Sequence, residues 1–458
     1  MNSIAILESL RHSTKMRFLT ILSVIFLLAT PVFALDLRTA LELAVSASPE
    51  LKQAKSQKKE YEAQAWQYKS EIFPTINGVG TAERRLNSNS ARAFISGNTV
   101  NTEFSSYTAA LQFEQPIFVG LALVSGWKWA NTLNSRAESE YFQTQQTIVK
   151  NLILSYFSYA ESREVLKASE GNLATLQDYS KTLAYYAKIG RGREMDRLQA
   201  NVNASLAAVE LQNVVQTELN AQLELKKLIN WTSAETIELK PDLHVSKHST
   251  RKTQQLTDAS TESLVKQAFA NNPSLKVAEK KVNESKYQAD VELAPDLPAL
   301  SAIATYGTQA VHREDMFENS SEFYTYGLQL TIPLFSGLSS VGKRREVRER
   351  TFQAEKSYEI EKRNAQVLIA LAQTNLKKAY QQYQDLKNVS SRSQRALDLA
   401  TRSYKQGTTT SQDVVTFQRS RYEAEKVLIQ NQYAYLRALI ELQELLGVDL
   451  YKTYTGAI

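Results

Sequence analysis

The chain contains no cysteine. That excludes disulfide staples, thiolate metal sites, a cysteine nucleophile and an acylated cysteine at a mature N-terminus. Histidine is nearly as scarce, with four in 458 residues. His12 falls in the leader region and His312 in a polar tract. His244 and His248 have the spacing of a helical metal pair, but they lack the central Glu of a zincin motif and an apolar helical context. No Gly-rich phosphate loop follows a strand, and no Gly-x-Ser-x-Gly elbow occurs. The expectation is a protein that is not an enzyme and holds no metal or cofactor.

Long apolar runs are missing too. Lys15 and Arg17 precede the apolar run Phe18–Ala29, and Pro31-Val32-Phe33-Ala34 follows it. This reads as an export signal over residues 1–34, with Met16 an alternative start. Beyond it nothing approaches the roughly 20 apolar residues of a spanning helix. A membrane crossing by this chain therefore needs a β-barrel. The formal charge of +6 is small against 54 basic and 48 acidic residues, and no basic stripe with interleaved aromatics marks a nucleic-acid partner. The densest basic run, Lys343-Arg344-Arg345, is followed by Glu346 and Glu349 and reads as a solvated helix face.

What is present is alternation. Tyr324, Tyr326, Leu328, Leu330, Ile332 and Leu334 interleave with Thr325, Gly327, Gln329, Thr331 and Pro333. On a strand this puts one apolar face against one small or polar face. A sandwich strand and a barrel stave both satisfy the pattern. The stretch occurs twice, however: Tyr107–Gly120, with Tyr107, Leu111 and Phe113 on the same alternation, lies 217 residues before Tyr324–Gly337.

The repetition extends further. Ser48-Pro49-Glu50-Leu51 and Asn272-Pro273-Ser274-Leu275 are offset by 224 residues, and each reads as a helix start with Pro in its tolerated first-turn place. Strand-like segments at about 76–86 and 299–311 follow, then polar tracts Asn87–Asn101 and His312–Ser321. After the paired strands, proline-free spans 121–189 and 338–406 predict helices of about 100 Å. They turn at Gly190 and Gly407 and return through 194–230 and 411–446. Leu198, Val202, Leu206 and Val209 form one apolar stripe on the return arms, and Leu436, Leu439, Leu442 and Leu446 another. The expected division is a first repeat over 35–230, a polar linker over 231–260, a second repeat over 261–447 and a tail over 448–458. Four strands cannot close around a lumen, and open edges are not tolerated in hydrocarbon. Closure needs several chains, and three would supply about twelve strands.

These residues resemble a family. The two Pro-x-Leu helix starts, the two Pro-Ile/Leu-Phe-x-Gly junctions and Tyr404–Val414 (Tyr-Lys-Gln-Gly-Thr-Thr-Thr-Ser-Gln-Asp-Val) are similar to the TolC-like outer-membrane efflux proteins, over essentially the whole mature chain. The resemblance implies an α+β membrane protein: a homotrimer whose 12-stranded outer-membrane β-barrel, four strands per chain, continues into a periplasmic α-helical coiled-coil barrel. It also implies partners, namely outer-membrane lipid, a periplasmic adaptor and an inner-membrane pump of the ABC or RND type, serving efflux or type I secretion. A gate is implied at the hairpin tip, with Tyr404 in the family's Tyr position and Asp413 in its first Asp position. Thr409 stands where an Arg is expected and Thr416 where a second Asp is expected, so half the constellation is missing. Asp413 reads equally as an acid favoured by the helix dipole, and Tyr404 as a packing aromatic. The charged tip Gly190, Arg191, Arg193, Glu194 and Asp196, with Gly407 and Thr409 of the other tip, is a candidate adaptor contact or a solvated turn. A soluble periplasmic coiled-coil adaptor is the rival function; it accounts for the hairpins but not for the strands.

Overall fold

Residues 34–88, 101–232, 237–239, 243–316, 318 and 321–456 are described by a computed structural model. The expected export signal, apart from its last residue Ala34, and the centre of the Asn/Ser tract lie outside the described residues. In chain order, the first half comprises β1 (Ala34–Leu35), α1 (Leu37–Ala47), α2 (Pro49–Ser70), β2 (Thr75–Ser88), β3 (Asn101–Val119), α3 (Ala122–Lys188) and α4 (Glu194–Leu228). Between the halves lie β4 (Glu238–Leu239) and α5 (Leu243–Asp258). The second half comprises α6 (Thr261–Asn271), α7 (Pro273–Leu293), β5 (Ala299–Ala310), β6 (Glu322–Thr331), α8 (Ser339–Lys405), α9 (Ser411–Leu445) and a short α10 (Leu450–Thr455).

The helices start where their caps dictate. Ser48 Oγ accepts the Leu51 N–H at the start of α2, and Asn272 Oδ1 accepts the Ser274 and Leu275 N–H groups at the start of α7. Each side chain satisfies orphan donors of a first turn, and the following proline has no N–H to satisfy. α3 and α8 are both 67 residues long, and α4 and α9 both 35. The 217-residue offset thus runs through both hairpins without insertion. α3 continues through Gly126 and Gly171, because tertiary packing outweighs their poor helix propensity.

The four long strands form one antiparallel sheet in the order β2-β3-β5-β6, leaving β2 and β6 as edges. Beside the sheet the helices lie in the order α2-α3-α7-α8. Farther away α4 and α9 replace α2 and α7, giving α4-α3-α9-α8. α3 and α8 are therefore the two continuous posts. The main core lies midway along them, where Val149, Leu152, Ile153 and Phe157 of α3 meet Leu37 and Leu41 of α1, Leu225 of α4 and Ile440 of α9.

Several expectations change. The 231–260 segment is more than a polar linker. β4 pairs in parallel with β1, Ala34 opposite Glu238 and Leu35 opposite Leu239, and α5 packs on α8. The tail forms α10, whose Leu450 is fully buried in the core. β6 ends at Thr331, so Ile332 lies just past the strand rather than within it. The basic run is only partly solvated: Lys343 pairs with Glu292 at 2.7 Å and Arg344 with Asp296 at 3.8 Å, tying α8 to α7. The two return-arm stripes also part company. Leu436, Leu439, Leu442 and Leu446 are buried, whereas Leu198, Val202, Leu206 and Val209 are more than half exposed.

Candidate barrel wall and periplasmic gate

Residues opposite one another in an antiparallel ladder share a face. Ile76, Phe113, Ala304 and Tyr326 make one row, and Gly78, Leu111, Tyr306 and Tyr324 the next. Gln115, Ala302 and Leu328 follow, then Phe118, Leu300 and Leu330, and Gln115 turns its amide to the Ile72 carbonyl at 2.8 Å. Tyr107, opposite Ala82 and Ala310, belongs to the same face and is half-buried. Tyr324, Tyr326, Leu328 and Leu330 are 78%, 81%, 70% and 61% exposed, so nothing among the described residues covers this face. The other face carries Asn77, Gln112, Thr305 and Thr325 in one row and Thr75, Glu114, Ile303 and Gly327 in the next, so it is polar or small apart from Ile303 there. An apolar outside and a polar inside is the pattern of a barrel stave between lipid and water. Pro116 lacks a ladder donor, and the register shifts between it and Phe118.

At the far end of the hairpins, Gly190 (φ +73°) and Gly407 (φ +74°) close two Schellman turns. Arg191 N–H reaches the Tyr186 carbonyl at 2.9 Å, and Thr408 N–H reaches that of Ser403 at 3.0 Å. Of the first tip's charges, Arg193 pairs with Asp196 at 3.1 Å and Glu194 with Arg197, while Arg191 is exposed. These are local helix-start pairs.

The second tip is capped. Asp413 Oδ2 accepts from Thr409 Oγ1 (2.7 Å), Thr410 Oγ1 (2.6 Å) and Thr410 N–H (3.0 Å), while Asp413 N–H donates to Thr410 Oγ1 at 3.3 Å. This reciprocal capping box was readable as Thr410-x-x-Asp413. Hydrogen bonds from the Thr410 and Thr409 hydroxyls and the Thr410 N–H hold the Asp413 carboxyl below its usual range, so it stays a carboxylate. Tyr404 sits beside Tyr179 of α3, ring centroids 6.0 Å apart in an edge arrangement, and Tyr179 Oη donates to the Ser411 carbonyl at 3.3 Å. Burial pushes the Tyr179 phenol up to about 12. Asp196 lies close enough to raise Tyr404 further after burial has done so. Tyr179, Tyr404, Ser411 and Asp196 thus bring the two tips together. Tyr179 had no sequence signal beyond an aromatic on a long helix. Thr416 bonds back to the Gln412 carbonyl, apart from this cluster.

The family model for outer membrane efflux proteins matches residues 40–230 and again 264–448. The chain belongs to this family. It is 23% identical over 355 residues to the alkaline protease secretion protein AprF of Pseudomonas aeruginosa, covering 76% of this chain and 70% of that one. It is 21% identical over 355 residues to the outer membrane protein TolC of Vibrio cholerae, covering 74% and 76%. Among solved structures, the outer membrane protein VceC of Vibrio cholerae matches with a TM-score of 0.74 at 18% identity, over 90% of this chain and 96% of VceC. The outer membrane channel CmeC of Campylobacter jejuni matches at 0.73 and 17%, over 92% and 88%. These likenesses extend over both repeats of the fold. This member of the outer membrane efflux family is an outer-membrane export channel, with its sheet in the membrane and its long helices in the periplasm. The rival reading as a soluble adaptor gives way, since the family is a channel family and the sheet bears an uncovered apolar face.

Proposed function

We propose that three copies of the chain close one duct, which receives cargo from a periplasmic adaptor and an inner-membrane pump and releases it outside the cell. The observation that carries this reading is the open four-stranded sheet. Its edges β2 and β6 run in opposite directions, so β6 of one copy meets β2 of the next as a further antiparallel pair. Twelve strands then enclose the polar face, while the apolar face of Leu328 and Leu330 meets lipid.

The Asp413 carboxylates form a ring at the periplasmic end, where one negative charge per copy favours cations. The tip cluster of Tyr404, Tyr179 and Asp196 supports a gate held mainly by contacts within each copy, in place of Arg-based links. The exposed turns around Arg191 and Gly407 are the proposed adaptor contact. AprF is by name a protease secretion protein and the family by name an efflux family, so cargo class separates with the pump. Single-channel recording of purified protein tests the duct, and co-purification after crosslinking tests the adaptor and pump. Absence of conductance, or an adaptor that still binds after both tips are replaced by Gly-Ser turns, contradicts the corresponding part.

A further inference from the structure

The polar face of the sheet is interrupted twice. In one row Ile303 stands between Glu114 and Gly327. Two rows farther from the helices, Val79, Ala110, Gly307 and Phe323 lie opposite one another, and none of their side chains has a polar atom. Polar rows adjoin this one on both sides, with Gln112 and Thr305 in one and Thr108 and Gln309 in the other. Close packing accounts for Gly307, where a Cβ would stand 2.4 Å from the Ala109 carbonyl oxygen. Gly327 has no such reason: its φ is not positive, and nothing lies within 4 Å of where a Cβ would stand. It leaves an open recess beside Ile303. On the other side of Ile303, the Glu114 carboxylate is exposed and pairs with no cation among the described residues. Side chains directly opposite on paired strands start only about 4.5–5.5 Å apart, so charge, apolar side chain and recess adjoin.

We propose that this wall holds a site for an organic cation with an apolar tail. The Glu114 carboxylate takes the cationic head beside Ile303 and the Gly327 recess. The row ending in Phe323, four residues farther along the strands and so about 14 Å away, takes the end of the tail. The proposal rests on the reading that the polar face lines a duct, and it names a class of molecule that the wall retains in passing. Charge and burial select the class together. An inorganic cation meets Glu114 but gains nothing from Ile303 or Phe323, whereas a neutral lipophile gains nothing from Glu114. A molecule carrying both groups uses the whole wall. The order along the strands also sets its orientation. β3 runs into α3, so Glu114 lies on the side of the helices and Phe323 toward the opposite mouth. A cation arriving from the helical end therefore meets the carboxylate with its head and the apolar row with its tail directed outward.

The test is block of single-channel current by alkyltrimethylammonium ions, from tetramethylammonium to octyltrimethylammonium, in planar bilayers holding the purified full chain. Block by the parent strengthens about tenfold or more along the series, as methylenes leave water. Glu114→Gln weakens block by every member about fivefold, the effect of one exposed carboxylate. Phe323→Ser leaves tetramethylammonium block as it is and removes most of the gain with tail length. Glu322→Gln, which deletes a carboxylate from the opposite face of the same sheet, reproduces the parent. That control separates the wall from partition of the ions into the bilayer, and the conductance of each variant reports its assembly. Conducting variants Glu114→Gln and Phe323→Ser that are blocked like the parent overturn the site and leave the duct intact. So does Glu322→Gln if it weakens block as much as Glu114→Gln. An unmodified chain that conducts no current overturns both.

Discussion

Thr409 Oγ1 donates to Asp413 Oδ2 at 2.7 Å, joining two positions for which the resemblance implied opposite charges. A hydroxyl thus occupies the cation's place and serves the acid of its own hairpin. The same oxygen takes both Thr410 donors. Asp413→Ala should reduce cation preference and block by divalent cations in single-channel records. Asp413→Asn removes the charge while keeping part of the cap, which separates the two roles. An unchanged reversal potential in both variants would take Asp413 out of the pore.

The pH dependence of the cap has a definite sign. The folded carboxyl titrates below its ordinary 3.8, so the cap contributes above that value and is lost only as pH falls through the lower folded value. Amide exchange at 410–413 should stay slow at pH 5 and rise only in stronger acid. Fast exchange at pH 5 would contradict the cap.

Tyr179 carries the opposite sign. Its phenol is raised to about 12 by burial, so the unfolded group ionises first and the docking of the two hairpins weakens as pH rises past 10. Tyr179→Phe should remove one late-titrating phenol from the ultraviolet titration. Loss of its hydrogen bonds should cost about 0.5–1.5 kcal/mol of local stability. A titration curve identical to that of the parent would place Tyr179 elsewhere.

Two glycines separate conformational strain from steric overlap. Gly407 has φ +74° and open space around it, so Gly407→Ala should cost about 1–2 kcal/mol through backbone strain alone. Gly447 has φ +72°, and a Cβ there would stand 2.4 Å from the Asn271 backbone, so Gly447→Ala should cost about 2–5 kcal/mol. Asn230, at the equivalent place in the first repeat, is left-handed at φ 52° and tolerates a side chain. Melting curves that rank Gly407→Ala as the more damaging change would contradict this assignment.

The sheet makes a paired prediction. Arg at Leu328 or Leu330 should cost about 2–4 kcal/mol at the membrane midplane and lower trimer yield. Arg at Gln329, between them on the polar face, should assemble normally. Equal yields from all three would mean that the faces are misassigned.

Much of the fold was legible because the sequence states it twice. Offsets of 217 and 224 locate both hairpins and all four staves, and the 217 offset matches the bounds of the long hairpin helices to the residue. What could not be read is environment. The stripes of Leu198–Val209 and Leu436–Leu446 are alike in periodicity, and only the helix order decides which one is buried. The β1–β4 pairing is two residues long and joins Leu35 to Leu239 across the whole first repeat, too short and too distant for a pattern to announce. At the hairpin tips, Tyr404 and Asp413 were singled out through the resemblance as proposed gate residues. Tyr179 emerges only when α3 and α8 are brought side by side at their tips.

The most direct test of the duct is crosslinking of the strand edges in intact outer membranes. Single cysteines at Ile76, Gly78 or Gly80 of β2 are combined with single cysteines at Tyr324, Tyr326 or Leu328 of β6. Within one chain these strands are separated by β3 and β5, about 14 Å at 4.8 Å per strand, so only neighbouring copies can be joined. The account predicts that at least one register yields covalent trimers and nothing larger. Monomers at every register, or a ladder running past three, would contradict a barrel closed by three chains.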